Sequence, residues 1–327
     1  MVLTQRHLNR ALLARQGLLE RRALEIPAAL DAMGTLQAQY APSMYIGLWS
    51  RVAGFRRDAL TEALHDRTVV QGTLMRATIH LVSRDDYWPL ALAIREARRA
   101  TWLRITRQPP PVEAAERLRE ALQDGPMRRT EIEALIGKAA AQGVGLWVDL
   151  VRVPPSGTWE RRRADLFGLA ETWIGPPVAD PGRLVKRYLT GFGPAAKADI
   201  ANWAGMPVRD LPPLDGLRRF EAEDGTELFD LPDAPLPDPD TPAPVRLLPT
   251  WDAALLAHAR RTQILPERHR DKVFHVKRPQ SVGTVLVDGQ VKGIWLPDGT
   301  VETFEPLTAG QRRELKAEVR RLVEFTA

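Results

Sequence analysis

The sequence predicts a mixed α+β fold, with three tandem winged-helix modules followed by a small C-terminal β-barrel. Helical patterns followed by β-branched hairpin signals recur along most of the chain. Helices followed by a two-stranded wing are the outline of a winged helix. The last part instead contains short strands separated by Asp-Gly turns, which is typical of a β-meander. The predicted modules are residues 1–110, 112–180 and 181–244, and the barrel with its closing helix is residues 245–327.

Composition indicates a globular protein with real cores. The chain has 327 residues, of which 44% are apolar and 27% charged. Lysine and arginine outnumber aspartate and glutamate by 46 to 41, and this net charge of +5 permits nucleic-acid binding without requiring it. The absence of cysteine excludes disulfides and thiolate chemistry. We find no apolar signal segment and no run of the ~18 apolar residues that a membrane span needs, so we expect a cytoplasmic protein.

The first module is predicted to contain three helices, a hairpin and a further helix. These elements are a helix capped by Thr4, helices at residues 27–37 and 59–65, strands at 68–71 and 75–83, and a helix opened by Ser83. Along the second strand, alternation places Arg76, Thr78 and His80 on one face. That polar face is therefore predicted to be free to meet a partner outside the core.

The rest of the chain repeats this plan and then changes character. The second and third modules are predicted to have helices at residues 112–123, 131–136, 182–190 and 195–203, a wing at 151–159 and a hairpin around Asp224-Gly225. The C-terminal region is predicted to have strands at 284–287, 291–295 and 301–304 and a helix at 309–325. Lys277 and Arg278 are expected at the basic tip of a hairpin between residues 273–276 and 282–287.

Two glutamines lie around one apolar residue at a point where a helix must stop. Pro42 pushes the residue before it out of helical geometry, so the second helix is predicted to end between Gln37 and Gln39. If the chain is extended there, both glutamine side chains point the same way, because extended chain repeats every second residue. In a continued helix they would diverge by about 200°. The alternative role for the pair is to cap helix-end carbonyls.

Several stretches occur in the same order as in a known bacterial family. They are LQAQ at 36–39, RATIHLV at 76–82, YLTGFGP at 188–194, PTWD at 249–252, LLAH at 255–258, ILP at 264–266, VDG at 287–289 and GIW at 293–295. On these residues the chain resembles the AlkZ/YcaQ-type winged-helix DNA glycosylases, which excise alkylated bases and unhook crosslinked DNA. The family's catalytic motif is Gln-apolar-Gln or Gln-apolar-Asp. The resemblance therefore implies that Gln37 and Gln39 are catalytic and that the partner is double-stranded DNA carrying alkylated purines.

The chemistry of glutamine is compatible with a catalytic role only when the base to be removed is damaged. An amide does not titrate in the useful range and is a poor general base, although it can accept and donate hydrogen bonds to water. N7-alkylguanine and N3-alkyladenine carry positive charge, which already weakens the glycosidic bond. The transition state then resembles an oxocarbenium ion, and the protein has to position a water and supply oriented dipoles. We expect Gln37 and Gln39 to hold that water, without a cofactor.

Basic residues are the candidate DNA contacts. Arg76, Thr78 and His80 are expected to contact DNA near the lesion, with a solvated wing face as the alternative. The resemblance suggests that Lys277 and Arg278 reach into a DNA groove, with a plain solvated turn as the alternative. The arginine run at 161–163 could contact phosphate, but such runs are usually solvated. No second ligand is spaced to bind a metal together with His80, so we expect no metal.

Two other classes of function remain open at this point. Winged helices most often belong to non-catalytic DNA-binding proteins such as transcription regulators, which bind a short site, usually as dimers. A third class is a scaffold whose wings meet other proteins. The glutamine pair favours the enzyme, and no obvious dimerisation helix is present, so we expect a monomeric, monofunctional DNA glycosylase.

Overall fold

The computed structural model describes residues 1–274 and 282–327, and within these ranges the fold is mixed α+β, as predicted. The helices are α1 (Gln5–Arg15), α2 (Ile26–Met33), α3 (Ala41–Arg51), α4 (Arg57–His65), α5 (Arg84–Thr106), α6 (Val112–Ala121), α7 (Arg129–Ile136), α8 (Lys138–Gly143), α9 (Ala170–Ile174), α10 (Arg183–Phe192), α11 (Lys197–Ala204), α12 (Ala253–Leu256), α13 (Arg270–Val273) and α14 (Ala309–Thr326). The strands are β1 (Val2–Leu3), β2 (Leu36–Gln37), β3 (Val69–Thr73), β4 (Ile79–Ser83), β5 (Met127–Arg128), β6 (Leu150–Arg152), β7 (Leu166–Leu169), β8 (Arg218–Ala222), β9 (Glu227–Asp230), β10 (Arg246–Leu248), β11 (Gly283–Val287), β12 (Gln290–Trp295) and β13 (Val301–Thr303).

A six-stranded sheet joins the hairpins of the first two predicted modules. Its strand order is β2-β4-β3-β6-β7-β5, with β2 at one edge. The two hairpins meet where β3 pairs antiparallel with β6, so that Gln71 lies opposite Arg152 and Gly72 opposite Val151. The first two predicted modules thus share one sheet. The division of the chain at residues 110, 180 and 244 stays a prediction.

The helix before the glutamine pair ends earlier than predicted. Helix α2 stops at Met33, and Gly34 follows it in the left-handed conformation with a φ of 84°. Any side chain at Gly34 would also lie 2.9 Å from the carbonyl oxygen of Arg187. Pro42 lies in the first turn of α3, a helix that we did not predict. The physical reason is that the fixed φ of proline suits the first turn of a helix as well as a break in one.

The third predicted module has its hairpin where expected. Strands β8 and β9 flank the Asp224-Gly225 turn, in which Gly225 has a φ of 80°. The N-terminal strand β1 pairs parallel with β8 and ties the start of the chain to this hairpin. In the second module the wing differs from the prediction, because β6 and β7 are separated by a long loop at residues 153–165.

The C-terminal region forms an antiparallel sheet in the order β10-β11-β12-β13, covered by α14. Its last three strands and its helix confirm the predicted elements. The predicted closed barrel is not found in the described ranges, where β10 and β13 are the two edges of an open sheet. Val273 ends helix α13 and does not begin a strand, which contradicts the start of the hairpin predicted at 273–276. Lys277 and Arg278 lie outside the described residues.

Buried ion pairs connect the N-terminal helices to later parts of the chain. Arg51 donates to both carboxylate oxygens of Asp252, at 2.7 and 3.0 Å. Arg15 does the same to Asp230, at 2.7 and 2.8 Å. All four side chains are at most 1% exposed. Removing one partner of such a pair typically costs about 3–5 kcal/mol, because the other charge is left buried. In the described ranges, no helix has the length and apolar character to span a bilayer.

Candidate active site

The chain is extended at Gln37 and bends at Gln39, so the helical conformation considered above is not adopted there and the extended one holds only for the first glutamine. Strand β2 pairs antiparallel with β4, placing Leu36 opposite Leu81 and Gln37 opposite His80. The Ala38 amide donates to the Ile79 carbonyl at 2.7 Å and prolongs the pairing. Leu36, Ala38 and Leu81 belong to one apolar core cluster. Because successive side chains of a strand point to opposite sides, Gln37 lies on the side away from that cluster, whereas Gln39 follows the strand in a bend.

Both glutamine carbonyls are held by donors from the neighbouring strand and turn. Gln37 Oε1 accepts a hydrogen bond from Arg76 Nη2 at 3.3 Å, and Gln39 Oε1 accepts one from the Ile79 amide at 3.2 Å. These donors fix which way each amide faces. Each side chain keeps its NH₂ group and a second carbonyl lone pair for a ligand or water. Gln37 is 7% exposed, whereas Gln39 is open to solvent.

Arg76 reaches Gln37 from a tight turn, and not from the strand predicted at residues 75–83. Met75–Ala77 is a single 3₁₀ turn, in which Arg76 and Ala77 have φ values of 52° and 56°. Arg76 Nη1 also donates to the Trp203 carbonyl at 3.2 Å. Strand β4 begins only at Ile79, so the predicted alternation through Arg76, Thr78 and His80 is wrong. The sequence did not indicate that Arg76 and Ala77 adopt the left-handed conformation, because neither arginine nor alanine favours positive φ.

His80 is buried and does not lie on an exposed polar face. It is 2% exposed, and its Nδ1 lies 3.0 Å from the Thr78 carbonyl oxygen, to which it donates. Burial, and secondarily the Arg76 charge, lowers the pKa of His80 to about 3, so the ring is neutral at pH 7. As the cross-strand partner of Gln37, it lies on the same side of the sheet as that glutamine. Half-buried Thr78 donates its hydroxyl back to the Met75 carbonyl at 3.0 Å.

Cationic groups lie on both sides of the glutamine pair. On one side, burial and then the nearby Arg261 lower the pKa of the Arg76 guanidinium. On the other side, Arg162 Nη1 donates at 3.3 Å to the hydroxyl of Tyr40, which is the residue directly after Gln39 in the chain. Arg162 and its two arginine neighbours are exposed on the wing loop of the second predicted module. The sequence showed this arginine run, but only the fold brings it to Tyr40.

Polar residues of the matching stretches at 249–252 and 255–258 have structural partners. Asp252 pairs with Arg51 and caps α12, where it accepts from the Ala254 amide at 2.9 Å. His258 Nδ1 lies 3.4 Å from the Tyr188 hydroxyl. Within residues 1–274 and 282–327, no three histidine or acidic side chains come together in a way that could hold a metal ion. The groups that flank the glutamine pair are thus amides, a neutral imidazole and guanidinium ions.

Comparison with known proteins gives the family. The family model described as "DNA glycosylase AlkZ-like" matches residues 30–325. The structure is similar to that of the Streptomyces sahachiroi DNA glycosylase AlkZ, with a TM-score of 0.81 and 19% identity over 100% of this chain and 98% of that one. No curated protein sequence matches the chain. Because the family model spans most of its length, the chain belongs to the AlkZ-like DNA glycosylase family.

Proposed function

We propose that this protein is a monofunctional DNA glycosylase that hydrolyses the N-glycosidic bond of alkylated, cationic purines such as N7-alkylguanine in double-stranded DNA. The observation that carries the proposal is the pair of amides at Gln37, which ends strand β2, and at Gln39, just after it, each held through its carbonyl oxygen by one protein donor. Family membership supports a glycosylase and DNA as its partner.

The free amide groups suit the positioning of one water molecule. A carbonyl lone pair can accept a hydrogen bond from water, and an NH₂ group can donate one. We infer that Gln37 and Gln39 hold the water that attacks the anomeric carbon as the charged base departs. The positive charge of the alkylated base already weakens the glycosidic bond, so the enzyme requires no titratable general base. Gln37 is the more rigidly held of the two, because Arg76 orients it; Gln39 is the more accessible.

The surroundings of the pair support binding of a duplex with a bulky lesion. Gln39 is exposed, and Tyr40 beside it is 44% exposed, so this end of the motif lies at an open surface. Arginines on both sides can contact the phosphates of the two strands. An open site does not require full insertion of the base into a closed pocket. We therefore include crosslinked bases, whose attachment to a second strand prevents such insertion, among the proposed substrates.

The chain is proposed to work as a monomer in the cytoplasm, associated with the nucleoid, in base-excision repair. The three helix–hairpin units along residues 1–244 support the interpretation as tandem winged helices, each with helices beside a two-stranded wing. In this arrangement the first unit contributes the glutamines, and the second contributes the arginine loop next to Tyr40.

The test is incubation with duplex DNA containing N7-methylguanine, followed by detection of abasic sites and of released base. We expect base release by the wild type in the presence of a metal chelator, and its loss in Gln37→Ala and Gln39→Ala with binding to the duplex retained. Gln123→Ala, at an exposed glutamine just after α6, is the matched control and should keep full activity. Sequence-specific binding without base release by the wild type would instead indicate a DNA-binding regulator.

A further inference from the structure

A second cationic site lies in a cavity of about 220 Å³ between the hairpins and helices of the first two predicted modules. Gln37 and Gln39 are not among its lining residues. The cavity is formed by the end of β3, the turn after it, α5, strands β6 and β7, and helices α7 and α8 with the short 3₁₀ turn that follows α8. The lining residues that matter here are Thr73, Ala77, Arg98, Trp102, Arg152 and Phe167.

Arg152 is a buried guanidinium without a counter-ion. Its residue is 9% exposed, and its Nε and Nη1 atoms are buried with no hydrogen-bond partner in the structure. Within the described ranges, no carboxylate lies within ion-pair distance of it. The guanidinium carbon lies 5.3 Å from the centre of the Phe167 ring, which is a stacking contact and leaves the N–H groups unused. Burial lowers the pKa of Arg152 to about 10, so it stays charged at pH 7.

Arg98 contributes a second positive charge that makes no direct ion pair in the described ranges, although the Asp149 carboxylate lies near it. Its Nη1 donates to the Thr73 carbonyl at 2.8 Å, and its buried Nε has no partner in the structure. The acidic group on the cavity wall, Asp149, is already paired with Arg95 at 2.8 Å. The other basic group there, Arg129, is paired with Glu133 at 2.7 Å. Two guanidinium ions therefore line the cavity, and within the described ranges neither makes an ion pair.

Such an arrangement is unfavourable when the cavity holds only water. A buried charge without a partner is costly, and a buried N–H that makes no hydrogen bond adds to that cost. One tetrahedral dianion would neutralise both arginines and accept hydrogen bonds from the guanidinium N–H groups at the cavity wall. Guanidinium ions match the oxygens of phosphate in geometry as well as in charge.

We propose that this cavity binds a phosphate group, held by Arg152 and Arg98. The phosphate comes either from solution, as inorganic phosphate, or from a nucleic-acid strand that enters past Ala77. Ala77 is exposed, lines the cavity, and directly follows Arg76 in the turn that reaches Gln37. The proposal does not depend on Gln37 and Gln39 being catalytic.

The test uses the 327-residue protein and two separate variants, Arg152→Met and Arg98→Met. If one variant fails to fold, the other still tests the proposal. Methionine keeps an unbranched side chain of comparable reach and removes the charge. Arg320→Met, which removes an exposed charge on the C-terminal helix, is the control. The first measurement is thermal unfolding with inorganic phosphate, compared with sodium chloride at equal ionic strength. The second is binding of undamaged duplex DNA over a range of salt concentrations.

If the phosphate comes from solution, inorganic phosphate will raise the Tm of the wild type and of Arg320→Met, but not that of the cavity variants. If it comes from DNA, the cavity variants will lower the slope of log K against log salt by about 1 each, and Arg320→Met will not. In both cases Arg152→Met without ligand should be at least as stable as the wild type, because the uncompensated charge is gone. The proposal is overturned if neither the phosphate response nor the salt slope depends on Arg152 or Arg98. Neither measurement uses base release, so this outcome is independent of the glycosylase assay.

Discussion

Arg76 Nη2 donates a hydrogen bond to Gln37 Oε1 at 3.3 Å, across the edge of the six-stranded sheet. The donor stands on a turn with two successive left-handed residues, and the acceptor lies on a two-residue edge strand. This contact determines which way the Gln37 amide faces. It also places a positive charge next to a candidate water-binding group, where it suits a DNA phosphate better than a developing oxocarbenium ion. We therefore propose that Arg76 orients Gln37.

Replacement of Arg76 by methionine should slow base release even when all DNA is bound. Loss of a hydrogen bond from a charged donor costs about 1.5–3 kcal/mol, so we expect a decrease of roughly 10-fold to 100-fold in the rate constant. The measurement is single-turnover release of N7-methylguanine at saturating enzyme. Arg219→Met, on the exposed hairpin of the third predicted module, is the control. An unchanged rate at saturation would show that Gln37 needs no orientation by Arg76.

The arginine run at 161–163 should contribute to DNA affinity without changing the chemical step. Arg162 lies beside Tyr40, and all three residues are exposed. Replacing Arg162 by alanine is expected to weaken binding of damaged and undamaged duplexes alike and to reduce the salt slope by about 1. The rate of base release at saturating enzyme should stay the same. A slope identical to that of the wild type would mean that the run is only a solvated surface.

Buried His80 should make the protein less stable in acid. Its pKa is about 3 in the folded protein, below the ordinary value of 6.5, so between these values only the unfolded chain takes up the proton. The free energy of unfolding therefore falls as the pH falls, by about 1.4 kcal/mol per pH unit from this residue. His80→Asn, which is neutral throughout and can still donate to Thr78, should lack this contribution. Urea unfolding of both proteins between about pH 4 and pH 6 measures the difference, and parallel pH profiles would contradict the assignment.

The Arg51–Asp252 pair is expected to be essential for stability, although it lies outside the candidate chemistry. Asp252→Ala leaves the Arg51 charge buried and removes the cap of α12, so unfolding should become easier by about 3–5 kcal/mol. The exposed pair of Arg219 and Glu227 provides the comparison, and Arg219→Ala should have a much smaller effect. Chemical denaturation measures both. If both variants lose only a small and equal amount of the free energy of unfolding, other contacts must offset the cost of leaving the Arg51 charge buried.

Local sequence signals were sufficient for much of the secondary structure. The Asp-Gly turns predicted the C-terminal hairpins, because residues at these positions must adopt positive φ. Ser83 correctly marked the start of α5. Pro42 did not mark the end of α2, which stops at Met33 before Gly34; it lies instead in the first turn of α3, which its fixed φ suits. The Gln-x-Gln segment was predicted to be extended or helical, and pairing with β4 decided between the two.

The candidate site itself depends on contacts between residues far apart in the chain. The sequence determined which groups are present: two amides, a histidine and several arginines. Only the tertiary structure turned Arg76 toward Gln37, buried His80 as a neutral ring, brought Arg162 to Tyr40, and left Arg152 without a counter-ion. The physical reason is that burial and charge pairing depend on the whole surroundings of a side chain. Residue order sets only the local geometry of turns and strands.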